Sequence, residues 1–396
     1  MTTSSFTGSV SLEPLRGTRV CILRTGPLEY DKRTQQVAAI LVSAGADVAV
    51  VCVAPAARAY ETDAGYRVRE VWPGAASADE VWAVRVVRNV FRLWRQYRLL
   101  VHLARSTRPH VVHCMNVDTL LVGLAVNRRC LLYDAREHFA TTGHVRRYVR
   151  LWWMLKERLV VPRAAAVFTV SEPIADDLAR RYSIASPTVI YNGCTSYAGT
   201  PAPGHAPLRL LHLGKYYLDR NIDEVIEIMG SLRGSATLTL QGWGEPEAAL
   251  RARVTEMGLE DVVTFVPPVP PEDITESIAS YDVGIINVRP DTQSLIWSAA
   301  NKFFEYMGAG LVLVVPDLRV MRAIVEEHRC GVVFDSAKSG SLLTTLQLLA
   351  ENPAWVEEMK RNSIKAAPAY SWEGQVGRVL EVYKRVVSDI CKRKDS

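Results

Sequence analysis

Ser196-Tyr-Ala-Gly-Thr-Pro-Ala-Pro-Gly-His-Ala-Pro207 divides the chain in two. Three prolines and two glycines within twelve residues can continue neither a helix nor a strand, so the stretch reads as a linker. On either side, short apolar runs of strand length alternate with longer segments of helical period, the pattern of parallel sheets wrapped by helices. Upstream, strands are expected at Arg19 to Leu23, Asp47 to Val53, Arg67 to Val71, His110 to Met115, Leu131 to Asp134, Ala166 to Val170 and Thr188 to Tyr191. Downstream they are expected at Leu208 to Leu213, Ala236 to Leu240, Val262 to Val266, Val283 to Ile286, Leu311 to Val315 and Gly331 to Phe334. The expected organisation is an N-terminal domain over 1–195, the linker over 196–207, a second domain over 208–370 and a closing helix over 371–396, with Ser371 as its N-cap. Both domains read as α/β and doubly wound, and in such open sheets ligands sit beyond the carboxyl ends of the strands.

The 396 residues exceed one ordinary core and suit two, and 48% hydrophobic against 22% charged residues lets both halves bury one. The longest apolar candidate, around Val37 to Val53, is broken by Gly45 and Asp47, so no membrane span is expected. The opening MTTSSFTGSVSLEP lacks the basic start and apolar run of a secretion signal. Seven scattered cysteines without a Cys-x-x-Cys pair argue against a disulfide framework or a zinc knuckle. A reduced, cytoplasmic protein without structural metal is the expectation.

Charge is uneven. Residues 1–200 hold 26 Lys and Arg against 16 Asp and Glu, whereas the remainder holds 21 against 26. A basic half usually meets phosphate or an anionic surface. Two of its helices concentrate the charge. From Glu80 to Ala104, Val87, Val90, Trp94, Tyr97 and Val101 recur at helical spacing with Arg85, Arg88, Arg92 and Arg95 on the other side. Val145 to Leu159 combines Arg146, Arg147, Arg150, Lys156 and Arg158 with Tyr148, Trp152 and Trp153. Such helices can lie on anionic membrane, or pack their apolar stripes on the sheet and leave the arginines solvated. No nucleic-acid module accompanies the charge, so nucleic acid is not expected as a partner.

The strongest local signal is Asn301-Lys302-Phe303-Phe304-Glu305-Tyr306-Met307-Gly308-Ala309-Gly310-Leu311, followed by the run Val312 to Val315. An amide, a cation and a carboxylate opening a helix that ends in glycine before a buried strand would offer donors to phosphate and an acceptor to ribose hydroxyls. This run resembles the N-K-x-F-E-Y-M segment of GT-B enzymes of the large glycosyltransferase family four. The resemblance implies two Rossmann-like domains facing across a cleft, with a nucleotide diphosphate-sugar on the second and an acceptor on the first. It implies that Lys302, Asn301 and Phe303, with their backbone N–H groups, meet the diphosphate and that Glu305 holds the ribose diol.

Further segments follow in the family's order. Leu211-His-Leu-Gly214-Lys215 and Arg220-Asn-Ile-Asp resemble its first C-domain strand and the turn beyond, so Gly214, Lys215 and Arg220 are expected around the leaving diphosphate, where fixed cations favour the developing charge. Leu240-Gln-Gly242-Trp-Gly244 resembles its Gly-x-Gly loop, where missing side chains let backbone approach the nucleotide, and Thr264 to Val269 resembles the segment that reads the base. In the first half, Tyr30-Asp-Lys-Arg resembles the family's D-x-R opening helix and Leu132-Tyr-Asp-Ala-Arg136-Glu137-His138 resembles its Y-D-S-H-E run. Glu137 and Arg136 are the acceptor-side catalytic candidates, ahead of His138.

Two departures stand out. Counting back eight from Glu305, where many relatives place a first glutamate, reaches Trp297, and Met115 stands where relatives often carry histidine. The expected function is a metal-independent hexosyltransferase-type enzyme moving a sugar from a UDP-sugar, ahead of a GDP-sugar, with retention, and with no cofactor beyond the donor. Inversion with Glu137 or Asp118 as base stays open. The expected acceptor is a lipid-linked saccharide or other polysaccharide precursor at the inner membrane face. Alternatives are a soluble natural-product glycosyltransferase, a nucleotide-sugar epimerase or hydrolase, and a non-catalytic GT-B partner subunit.

Overall fold

The computed structural model describes residues 14–72, 74, 82–143, 145–197, 199, 204, 206–217 and 221–392, the side chains of Tyr30, 82–89 and 390–392 excepted. It resolves into two compact units, Met1–Ile190 with Val376–Ser396, and Tyr191–Gln375. The division falls at Tyr191, and the chain rejoins the first unit within its last helix, Trp372–Lys392. Ser371 Oγ accepts the Gly374 N–H at 3.1 Å and so caps that helix.

Among the described residues the first unit holds eight strands: β1 (Arg19–Arg24), β2 (Asp47–Val53), β3 (Ala59–Glu61), β4 (Arg67–Val71), β5 (Val111–Met115), β6 (Leu131–Ala135), β7 (Ala166–Thr169) and β8 (Thr188–Val189). Their order is β3-β4-β2-β1-β5-β6-β7-β8, and only the β3–β4 pair is antiparallel. The central strands β5 and β6 are buried at every residue, because helices cover both faces of a parallel sheet and leave no room for polar alternation.

The second unit holds β9 (Leu208–Leu213), β10 (Ala236–Gln241), β11 (Val263–Val266), β12 (Val283–Ile285), β13 (Val312–Pro316) and β14 (Gly331–Phe334), all parallel, in the order β11-β10-β9-β12-β13-β14. Its core gathers Leu210, Leu238, Ile285 and Val314 from the sheet with Val225, Leu250, Leu346 and Met359 from the helices. In both sheets the order reverses beside the first strand, between β1 and β5 and between β9 and β12. These reversals are the switch points at which ligands enter doubly wound folds.

Pattern and structure part at three places. β3 carries no buried residue, so it lacked the apolar run that marks a strand. The stripe of the helix Trp82–Ser106 does not pack on the sheet over its middle: Val90, Trp94 and Tyr97 are 61%, 51% and 37% exposed, and Leu100 and Ala104 are buried instead. Arg85, Val87 and Arg88 lie outside the described side chains. In the helix Arg147–Val160, Lys156 is buried and paired with Asp118 at 3.2 Å, while Tyr148, Leu151, Trp152, Leu155 and Leu159 are exposed. Among the described residues no helix is long and apolar enough to cross a membrane.

Candidate functional site

In the second unit the expected donor residues follow β9, β10, β11 and β12 in the chain, at the carboxyl ends of the parallel strands. The helix Asn301–Gly308 starts after Ala300, whose extended backbone supplies no side-chain cap. Its first N–H groups are thus not claimed by a capping side chain, the condition under which a helix start can take an anion. Asn301 is exposed, Lys302 and Glu305 are half-buried, and the Lys302 ammonium reaches His212 Nε2 on β9 at 3.5 Å. Phe303 differs from expectation: it is fully buried, edge-on to Phe304, and its N–H donates to the Ala300 carbonyl at 2.9 Å.

One residue of this helix escaped the sequence reading. Tyr306 is fully buried, and its hydroxyl accepts the Leu213 N–H at 2.8 Å. It also lies 3.4 Å from the carbonyls of Leu211 on β9 and Ile285 on β12. β9 and β12 pair only at Leu210 with Val283 and Leu211 with Gly284. The phenol therefore bridges the strands where they part. Gly284 makes this possible, since a Cβ there would come within 2.3 Å of the Tyr306 ring. Burial pushes the Tyr306 hydroxyl well above its ordinary pKa, so it remains a neutral donor and acceptor.

The glycine loops serve each other. Gly214 has φ +102°, a region side chains avoid. A Cβ on Gly242 would lie 2.0 Å from the Gly214 carbonyl, and one on Gly244 would lie 2.5 Å from the Tyr216 carbonyl. The missing side chains make room for the neighbouring loop, which donates Gly214 N–H to Gln241 O and Tyr216 N–H to Trp243 O. Lys215 is exposed with its ammonium 4.9 Å from the centre of the Tyr217 ring. Val269 is half-buried after β11, and Arg220 lies outside the described residues. Beyond β12, Asn287 donates to the Asn221 carbonyl and to Glu224, tying that strand to the start of the helix Ile222–Ile228.

In the first unit the two motifs around Asp31 and Asp134 interlock. Arg33, inside the helix Lys32–Ser43, donates Nε and Nη2 to the two oxygens of Asp134 at 2.8 and 2.9 Å, and Nη1 to Ile190 O at 2.7 Å. In the opposite sense Arg136 donates Nη1 to Asp31 at 2.6 Å, and Arg24 pairs with the same oxygen. Arg136 is thus held by a carboxylate that the sequence did not associate with it. Glu137 is exposed and turned away from the core. His138 is a satisfied structural residue, bonded through Nε2 to Asp177 at 2.9 Å and through Nδ1 to Thr141 at 2.6 Å. Asp118 accepts from Trp153 and Lys156, which occupies it as a tether for their helix. Inside β5, His113 is buried against Tyr383, whose hydroxyl lies 2.7 Å from Nδ1, and burial pushes its pKa down to about 4.

Two family descriptions match the chain, one to each unit. Residues 30–193 match the "Glycosyl transferase 4-like domain" and residues 207–352 match "Glycosyl transferases group 1". The two units carry the paired domains of the group 1 glycosyltransferases. Among curated relatives, a D-inositol 3-phosphate glycosyltransferase of Thermomonospora curvata is 26% identical over 159 residues, 40% of this chain and 34% of the relative. The aligned stretch therefore spans about a third of that relative's length. Among solved structures, the sucrose-phosphate synthase of Thermosynechococcus elongatus aligns over 94% of this chain and all of its own, with a TM-score of 0.73 at 14% identity. Anabaena HepE in complex with UDP-glucose aligns over 94% and 99%, with a TM-score of 0.68 at 15% identity. These solved structures share the fold of two Rossmann-like domains, the GT-B architecture expected above.

Proposed function

We propose that this group 1 chain transfers a sugar from a nucleoside diphosphate sugar, a UDP-sugar ahead of a GDP-sugar, to an acceptor bound by its first unit. The observation that carries the reading is the helix Asn301–Gly308, which brings an uncapped start, Lys302 and Glu305 to the carboxyl ends of a doubly wound sheet. The diphosphate would meet the helix N–H groups and Lys302, with Lys215 and Arg220 alongside, and Glu305 would accept from the ribose diol. Cations fixed near a departing diphosphate stabilise charge that grows in the transition state, so they assist bond breaking without a metal ion. In this reading the donor phosphate takes the acceptor's proton on the face that the leaving group occupies, which retains configuration. The UDP-glucose complex of HepE supports a uridine donor.

The acceptor is proposed to be a lipid-linked saccharide or related precursor on an anionic membrane face. Support comes from Phe91, Leu93 and Trp94 on one helix and Leu151, Trp152 and Leu155 on another, all exposed beside arginines. A second reading, a subunit that binds donor without transferring it, draws on Trp297 and Met115 at positions where the family often has glutamate and histidine.

A thermal-shift screen of nucleotide sugars, followed by turnover and determination of the product's anomeric linkage, tests the proposal. Saturable stabilisation by one donor and a product that keeps the donor's anomeric configuration are expected. Lys302→Ala and Glu305→Ala should each weaken donor binding by about 2 to 4 kcal/mol through loss of a charged hydrogen bond. Unchanged nucleotide affinity in both variants rules out this donor site, and an inverted product rules out the mechanism.

A further inference from the structure

The carboxyl ends of β1 and β6 carry more hydrogen-bond donors than their own acceptors can use. Arg24 closes β1, Arg136 follows β6, and Arg33 reaches in from the helix Lys32–Ser43. A guanidinium offers five N–H groups and accepts none. Both oxygens of Asp134 accept from Arg33. Asp31 is overcommitted: Oδ1 accepts the Thr34 N–H, while Oδ2 serves the Thr34 hydroxyl, Arg136 and Arg24 together. One further acceptor, Gly26 O, takes Arg24 Nε at 3.3 Å.

Arg24 and Arg136 share one oxygen atom, so their like charges are neighbours. Burial, and then the Arg136 charge, push the Arg24 pKa down to about 10. Their side chains retain 15% and 22% exposure, which leaves N–H directions open to a ligand. Among the described residues the other titratable groups beside them are the buried thiol of Cys52, the exposed carboxylate Glu137 and the buried His113. Two guanidinium forks short of acceptors suit a group with several anionic oxygens at tetrahedral spacing.

We propose that Arg24 and Arg136 form an anion subsite in the first unit and that the acceptor presents a phosphoryl group to it. The assignment rests on the reading of this unit as the acceptor domain, and β1 flanks its switch point, where doubly wound folds take ligands. The phosphoryl group can belong to a lipid headgroup or to a soluble sugar phosphate.

The test titrates inorganic phosphate at constant ionic strength against the full-length chain and the variants R24Q, R136Q and K302A, following heat and Tm. Expected is a saturable site that weakens at least tenfold in both arginine variants and survives in K302A. Loss in K302A with retention in both arginine variants overturns the subsite and leaves the donor site standing. A response no larger than that to sodium chloride also overturns it, as screening alone. Survival in K302A without turnover of any nucleotide sugar keeps the subsite and removes the transferase reading instead. Should a glutamine variant not fold, R24K or R136K keeps the charge and loses the fork, and a loss of at least threefold with native circular dichroism is expected. Vesicles of phosphatidylcholine with and without phosphatidic acid separate the two sources. Weaker phosphatidic acid binding in R24Q and R136Q places the phosphoryl group on a lipid, whereas unchanged vesicle binding beside lost phosphate binding places it on a soluble acceptor.

Discussion

Tyr306 Oη accepts the Leu213 N–H at 2.8 Å and thereby pins the helix that carries Lys302 to the end of β9. Lys302 and Tyr306 are four residues apart, on one face of that helix, so the bond fixes the direction from which the ammonium approaches. Tyr306→Phe leaves a buried N–H unsatisfied and is expected to cost about 1 to 3 kcal/mol in urea unfolding. It should also weaken nucleoside diphosphate binding, and much less so in a Lys302→Ala background. Additive losses in that double-mutant cycle would show that Tyr306 serves stability alone.

Gly284→Ala drives a methyl group into the Tyr306 ring. Overpacking of this kind costs about 1 to 3 kcal/mol, and the ring that the methyl meets is fully buried. Denaturant midpoints should fall for Gly284→Ala while Gly377→Ala, where a Cβ meets nothing within 4 Å, leaves them unchanged or raised. Equal effects from the two substitutions would refute the close fit.

His113 makes the first unit sensitive to acid. Its folded pKa of about 4 lies below the ordinary value of 6.5, so between those values the unfolded chain binds more protons and stability falls as pH falls. The contribution is complete above about 6.5 and lost by about 4, on the order of 3 kcal/mol over the window. His113→Gln should flatten the pH dependence of unfolding between pH 6.5 and 4 relative to the parent. An unaltered slope would refute the contribution of His113, because carboxylates such as Asp177 and Asp282, both held below their ordinary range by hydrogen bonds to basic partners, lose theirs mainly below about pH 4.

The exposed aromatic residues give the membrane reading a direct check. Trp94→Ser and Trp152→Ser remove side chains that are 51% and 49% exposed, so little stability should be lost. Co-sedimentation with anionic vesicles should drop severalfold in the double variant if the two helices insert apolar surface among headgroups. Unchanged partitioning at low salt leaves a soluble acceptor as the better reading.

Much of the fold was legible because buried parallel strands are nearly continuous apolar runs, as β13 is and as β5 and β6 are apart from His113 and Asp134, and because prolines cluster where the two strand series separate. The helix Asn301–Gly308 was legible from local composition. What the sequence hid were pairings across distance. Nothing near Arg33 announces Asp134, and nothing near Arg136 announces Asp31, because an ion pair depends on strand order and on which ends of the strands coincide. Gly242 and Gly244 were read as openings for a ligand, yet close backbone approach between loops requires the same residue. The stripe through Val90, Trp94 and Tyr97 shows the converse limit: periodicity reports that a helix has an apolar face without saying what covers it.

The cysteines offer a built-in clock for opening of the chain. Cys21, Cys52 and Cys114 in the first unit and Cys194 and Cys330 in the second are buried, and desolvation pushes the thiols of Cys21, Cys52, Cys114 and Cys330 up to about 12. A thiol so protonated and enclosed does not react with alkylating reagents until its surroundings loosen. With Cys391 replaced by serine, mass-resolved alkylation would record when each unit opens, and would reveal whether a bound nucleotide slows the second without touching the first.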